Sequence, residues 1–291
     1  MTLSNDLLTV TIDNHGAELK SIKNKRTLHE YLWQGDPAFW GRRSPVLFPI
    51  VGAVWDKTFR MDGQEFTMSQ HGFARDMDFS PMEGGEDDEA WFSLESNEET
   101  LKKFPRRFRL EIGYKLHEER LTVLWRVTNL DDKEMTFQIG AHPAFNYPDF
   151  SASDPVHGYF DIDGHNLVKD IITEKGCIGK DTEKVEKDND GLVAISADTF
   201  SHDAVIFSGN QVRRVSLLSK ERTPYLTLLF SAPAVGLWSP KPEAPFVCIE
   251  PWWGRADNVG FCGEFKDRPF VNTIAPGNTF RAHYMVIFDN L

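Results

Sequence analysis

The chain has 291 residues, 41% of them hydrophobic and including 22 Phe and 8 Trp, enough large side chains for a sizeable core and too many for a disordered polymer. A formal charge of −12 repels phosphate polymers and anionic membranes, which argues against nucleic-acid or membrane partners and for a small molecule. The three cysteines, Cys177, Cys248 and Cys262, make neither a CxxC pair nor a disulfide framework, the usage of a reducing, cytoplasmic compartment.

The N-terminus carries no basic stretch followed by an apolar one, and no run approaches the roughly 18 apolar residues of a membrane helix. A single domain spanning 1–291 is expected, because sandwiches and barrels often reach about 250 residues as one unit. Residues 7–12 and 17–22, apolar and β-branched around Asn14-His15-Gly16, predict an opening hairpin. Residues 35–45 are too rich in Gly and Pro to be regular, and they feed the apolar run 46–52, which should be buried. Residues 58–61 and 65–68 flank Asp62-Gly63, the dipeptide that supplies positive φ for a tight hairpin turn. That hairpin leads directly to His71.

Residues 77–81 and 90–94 predict two strands joined by the acidic run Glu86-Asp87-Asp88-Glu89, most simply a solvated tip. Ser96-Asn97-Glu98-Glu99 matches a capping box, and Pro105 stops the helix it opens. Residues 108–116, 121–129 and 135–139 alternate as a three-stranded meander. The polar segment 148–190 reads as an excursion over one end of the fold. Alternation returns at 204–207, 212–218, 225–230, 235–238, 246–250 and 280–288. Some fifteen strand candidates against one helix predict an all-β fold, a large antiparallel sandwich. The chain contains no Gly-rich phosphate loop, HExxH or GxSxG.

Two imidazoles and a carboxylate stand out. His71, His142 and Glu250 each lie among Gly, Pro and aromatic residues, the setting of a rigid strand end beside a pocket. Histidine titrates near neutrality, and a carboxylate among aromatics has its pKa raised toward it, so the three make an acid–base kit. Trp252, Trp253 and Phe145 are candidates for stacking on the apolar face of a ligand, with core packing as the alternative.

Six segments carry a resemblance: Ser44-Pro45-Val46-Leu47-Phe48-Pro49-Ile50-Val51-Gly52, His71-Gly72-Phe73-Ala74-Arg75-Asp76, Gly140-Ala141-His142-Pro143-Ala144-Phe145, His202-Asp203-Ala204-Val205-Ile206-Phe207, Gly236-Leu237-Trp238-Ser239 and Ile249-Glu250-Pro251-Trp252-Trp253-Gly254. In this order they resemble the galactose mutarotase-like family of aldose 1-epimerases, in its LacX-type branch. The resemblance implies a β-supersandwich whose concave face holds a hexose, monomeric or homodimeric, with no metal or organic cofactor. It further implies His142 as general acid and Glu250 as general base on opposite sides of the anomeric centre, His71 as a second histidine that polarises the sugar, and Asp203 as a carboxylate on its hydroxyls. Where the family often carries an arginine just after this Phe-Pro-x-x-Gly stretch, the chain has Ala53. Arg43 or Arg75 could substitute, since a guanidinium offers a fork of donors to vicinal hydroxyls or to phosphate. Beside mutarotation of a hexose stand two alternatives: epimerisation of a hexose 6-phosphate, and sugar binding without catalysis.

Overall fold

In a computed structural model that describes residues 1–83 and 88–289, nearly all regular structure is antiparallel β. Two large sheets dominate. One has nine strands in the order Val193–Ser196, Val156–Ile162, Arg214–Leu218, Pro224–Phe230, Thr279–Phe288, Arg120–Asn129, Phe108–His117, Glu89–Glu95 and Ser80–Pro81. The other has eight: Ile178–Lys184, Val168–Ile172, Val205–Ser208, Ala234–Trp238, Phe246–Trp253, Ile139–Ala141 and Val46–Leu47, with Ala144–Asn146 also paired to Phe246–Trp253. No helix among the described residues is long and apolar enough to cross a membrane.

The alternation that marks the strands is also what joins the sheets. Arg120–Asn129 buries every second residue, and Leu121, Val123, Trp125 and Val127 meet Val235, Leu237, Val247, Ile249 and Trp253 of the second sheet in one core. Trp125 and Trp253 meet edge to face with centroids 5.4 Å apart, a geometry worth about 0.5–1.5 kcal/mol beyond its buried area. Trp253 therefore belongs to the core.

Local signals fare as expected at most turns. Asp62 and Gly63 both take positive φ between the paired strands Thr58–Met61 and Gln64–Thr67. The helix Glu98–Lys103 is capped by Asn97, with Thr100 closing the box rather than the Ser96 and Glu99 of the sequence match. Glu86 and Asp87 of the acidic run lie outside the described residues.

Two expectations are corrected. The third strand of the meander splits: Met135–Phe137 pairs with Asn272–Ile274, Ile139–Ala141 enters the second sheet, and Arg120–Asn129 takes Thr279–Phe288 as its neighbour. The segment 148–190 is no excursion. It supplies Val156–Ile162 to the first sheet and Val168–Ile172 and Ile178–Lys184 to an edge of the second. The last two hide the usual signal because they pair through backbone beyond the core: Val168–Ile172 is half-buried throughout and Ile178–Lys184 mostly exposed.

Candidate active site

Phe246–Trp253 is buried along its whole length yet has two different faces. Val247, Ile249 and Trp253 point into the main core, whereas Phe246, Cys248 and Trp252 pack in smaller clusters of the opposite face. Period 2 puts Glu250 on that opposite face, between Cys248 and Trp252.

The neighbouring chain places a histidine beside it. Gly140 pairs with Trp252 and Ala144 with Cys248, a register that sets His142 opposite Glu250, where cross-strand side chains touch. His142 Nε2 lies 3.3 Å from Glu250 Oε2. On the other flank Glu250 pairs with Gly236. A Cβ there would stand 2.6 Å from the Trp252 ring, so the missing side chain is what lets the indole lie across the sheet beside the carboxyl. The same parity turns Phe145 inward. It is fully buried in the core, paired with Val247, and does not line the pocket.

His71 arrives on a separate loop. The Phe48–Pro49 peptide is cis, and the backbone around it clasps residues 71–74: Phe73 and Ala74 N–H both donate to the Phe48 carbonyl. Gly72, at φ 73°, passes so close that a Cβ would lie 2.2 Å from the Phe48 oxygen. His71 N–H donates to Gly52 O (2.9 Å), and Gly52 N–H donates back to the His71 ring at Nδ1 (3.1 Å). Because a backbone N–H can only donate, Nδ1 is the acceptor and the ring proton sits on Nε2. Burial, with His142, Arg75 and Arg42 nearby, holds His71 well below the usual histidine range, consistent with a neutral ring that donates one hydrogen bond.

A buried clamp sets this loop. Arg268 pairs with Asp257 and donates to Gln138 Oε1. Asp257 in turn accepts from Trp55 N–H and Gln138 from Val51 N–H, so both ends of the segment carrying Gly52 are tied down. Arg268 and Asp257 side chains are 0% and 1% exposed, and breaking such a pair leaves a charge stranded. Asp257→Asn is expected to destabilise the protein by about 3–5 kcal/mol, measured by denaturant unfolding. An unchanged midpoint would refute the clamp.

His71, Arg75, His142, Asp203, Glu250 and Trp252 all line one cavity of about 450 Å³. Buried polar groups ordinarily find partners, yet His142 Nδ1, both Glu250 oxygens, Trp252 Nε1 and Arg75 Nε have none. This concentration of unpaired atoms marks a site built for a polar ligand. Burial, reinforced by the Asp203 carboxylate, raises the Glu250 carboxyl well above its ordinary value. The Trp252 N–H is near enough to oppose that shift without satisfying either oxygen. Burial, with Arg75 nearby, lowers His142 to about 3. Burial thus pushes both groups toward their uncharged forms, a carboxyl beside an imidazole.

Arg43 does not line the cavity. Its guanidinium donates to the Gln34 carbonyl and braces the 35–45 segment. Arg42 was passed over in the sequence, although it pairs with Asp76 at 2.8 Å and its charge acts on His71 and His142. Arg75 donates to the Gln70 carbonyl. Trp40 was missed as well. It stacks on His142 at 4.7 Å and 27°, while Trp238 meets the same ring edge-on at 5.5 Å. Nothing in the irregular segment around Trp40 announces this. Asp203 stands on the rim with φ 71°, and the neighbouring His202 is exposed.

His142, Cys248 and Glu250 present ligand atoms within 4.8 Å of one another, a possible N, S, O set for a metal ion. Burial raises the Cys248 thiol well above its usual range, whereas a metal ligand must be thiolate.

Known proteins share this arrangement of chain. The sequence is 31% identical to the chromosomal LacX protein of Lactococcus lactis subsp. lactis over 303 aligned positions, covering 99% of each chain. A galactose mutarotase related enzyme from Lactobacillus acidophilus superposes with a TM-score of 0.91 at 33% identity, covering 100% of this chain and 97% of that one. A galactose mutarotase-like protein from Lactobacillus casei gives 0.92 at 31%, covering 99% of both. Residues 1–264 match the aldose 1-epimerase family model, and with relatives matched over nearly their full length, the chain belongs to the aldose 1-epimerase family.

Proposed function

We propose that the protein interconverts the α and β anomers of a hexose by acid–base ring opening, with no cofactor. The observation that carries this reading is the His142–Glu250 contact at 3.3 Å within a cavity of unpaired polar atoms. A hemiacetal's hydroxyl and ring oxygens share one carbon, so the base for the first and the acid for the second must both reach the substituents of that carbon. One proton shift from Glu250 to His142 gives the carboxylate and imidazolium. Glu250 then takes the proton of the anomeric hydroxyl as the bond from the anomeric carbon to the ring oxygen breaks, and His142 protonates that oxygen. Rotation about the C1–C2 bond exposes the other face of the aldehyde, and the same transfers in reverse close the opposite anomer, restoring both groups.

His71 donates its Nε2 proton to a sugar oxygen, Asp203 accepts from sugar hydroxyls, and Trp252 offers an apolar surface to the ring. Arg75 supplies a donor, its Nε lying 3.9 Å from Asp76 Oδ2 and making no hydrogen bond. NMR exchange between anomers, run with glucose, galactose and their 6-phosphates, tests the proposal. Exchange faster than buffer for a free hexose supports it, acceleration of the phosphates alone reassigns it to a hexose-phosphate epimerase, and no acceleration leaves a sugar-binding protein.

The pH dependence is a further test. Activity needs exactly one transferable proton on the pair. Burial of His142 resists a second proton and burial of Glu250 resists loss of the first. From about pH 4 to about pH 9, kcat/KM should be flat across neutrality, with an acid limb well below the ordinary histidine value of about 6.5. A limb at that value would show an unperturbed imidazole in control.

A further inference from the structure

The two histidines of the cavity are oriented by different means. His71 accepts a hydrogen bond from Gly52 N–H at Nδ1, the usual device by which one ring nitrogen fixes the task of the other. His142 has no such bond: its Nδ1 is buried without a partner, yet its Nε2 lies 3.3 Å from Glu250 Oε2. An imidazole turns about its side-chain torsions unless something holds it, so the hold on His142 must come from packing.

A column of aromatic rings supplies it. Trp33 stacks on Phe246 with centroids 4.5 Å apart and planes at 25°, Phe246 on Trp40 at 6.1 Å and 26°, and Trp40 on His142 at 4.7 Å and 27°. Trp238 closes the column from the side, meeting Trp40 at 5.7 Å and His142 at 5.5 Å, both edge-on. Such contacts are directional, because ring faces carry negative charge and ring edges positive.

The column is also anchored to the chain around the reacting pair. Phe246 stands on the strand of Glu250, four residues before it and on the same face. Trp33 N–H donates to the carbonyl of Ala144 (2.9 Å), two residues after His142, and the Trp33 indole donates to the Trp40 carbonyl (2.8 Å). Trp40 N–H donates to the Asp36 carbonyl (2.9 Å). Trp40 therefore has a fixed place, half-buried on the cavity wall, although its segment is neither helix nor strand.

We propose that Trp40 is a positioning residue, whose indole face takes the place of the missing hydrogen bond and holds the His142 ring with Nε2 toward Glu250 and the reacting centre. The reaction it serves rests on the proposed mutarotase reading; the hold on the ring stands on its own contacts. A hold through the ring face engages neither nitrogen, so the imidazole takes up and releases a proton without breaking what orients it.

The test compares wild type with Trp40→Phe, which keeps a ring, and Trp40→Leu, which keeps bulk but offers no ring face. NMR reads kcat and KM for anomer exchange of glucose and galactose. It also reads the His142 ring protons, assigned by their loss in His142→Gln. Trp40→Leu should lower kcat by about tenfold or more, since displacing a reacting group by about 1 Å can cost about 10²-fold, while KM stays within about twofold. Trp40→Phe should recover most of that loss. The His142 ring protons, shielded in wild type by the indole face, should move downfield in Trp40→Leu. Unchanged kcat in a folded Trp40→Leu protein overturns the proposal, and so does a raised KM at wild-type kcat, which would make Trp40 a contact for the sugar. Absence of exchange in wild type removes the mutarotase reading instead; the ring-proton shift then decides alone, and unmoved signals overturn the hold on His142.

Discussion

Glu250→Gln should lower anomer exchange by about 10²-fold or more, the usual loss when a general base is removed, and at the same time make the protein more stable toward alkaline pH. The amide keeps the shape of the side chain and can still hydrogen-bond a sugar, so affinity should fall far less than turnover. The stability gain follows from the raised carboxyl. A folded-state value above the unfolded one means that the folded protein keeps its proton longer. The associated stability is complete below the unfolded value, about 4.3, and is lost as pH rises through the folded one. Glutamine does not titrate, so the melting temperature of the variant should exceed that of wild type by a margin that grows with pH. Each kcal/mol corresponds to about 2–4 °C in domains somewhat smaller than this one. A variant that loses stability while keeping turnover within a factor of a few would place the base elsewhere.

Replacing the partner gives the complementary pattern. His142→Gln is expected to reduce exchange by about 10²- to 10⁴-fold, and its effect on stability should run with acid. A buried imidazole lowered to about 3 contributes stability that is present above the unfolded value near 6.5 and lost as pH falls from there toward 3, because the unfolded chain takes up the proton first. The variant has no such loss. Its deficit against wild type, which includes the stacking on Trp40, should therefore shrink on acidification. Chemical unfolding at several pH values from about 7 down to about 4 reads this directly; a deficit independent of pH would mean that His142 is not held neutral.

Both expectations concern residues visible in the sequence, for a physical reason. Glu250 and His142 sit among glycine, proline and tryptophan because backbone and indole must approach them closely, as at Gly236 and Gly140, and such compositions stand out. The strands of the core were equally legible wherever one face is wet, as in Arg120–Asn129. Legibility failed where a residue's role is fixed by partners far along the chain. Trp40 reaches His142 from an irregular segment, held by the Trp33 indole N–H on its own carbonyl. Arg42 and Arg43 are adjacent, and only the fold decides which pairs with Asp76 and acts through its charge on His71 and His142, and which braces a loop. Phe145 looks like a site aromatic by composition, yet strand parity sends it to the core. The rise of the Glu250 carboxyl was legible in its aromatic setting, whereas the fall of His142 to about 3 was not, since it depends on the depth at which the ring is buried.

The pairing of Gly140 with Trp252 and Ala144 with Cys248 makes the contact between His142 and Glu250 a property of strand alignment. Slippage of Phe246–Trp253 by one residue would turn Glu250 into the hydrocarbon interior and present Ile249 or Pro251 to the cavity. A compact but misaligned molecule would thus be silent. Turnover per molecule consequently counts the fraction of chains whose central strand has settled in its native alignment, and during refolding the recovery of anomer exchange should trail the recovery of β-sheet signal by however long that alignment takes to be corrected.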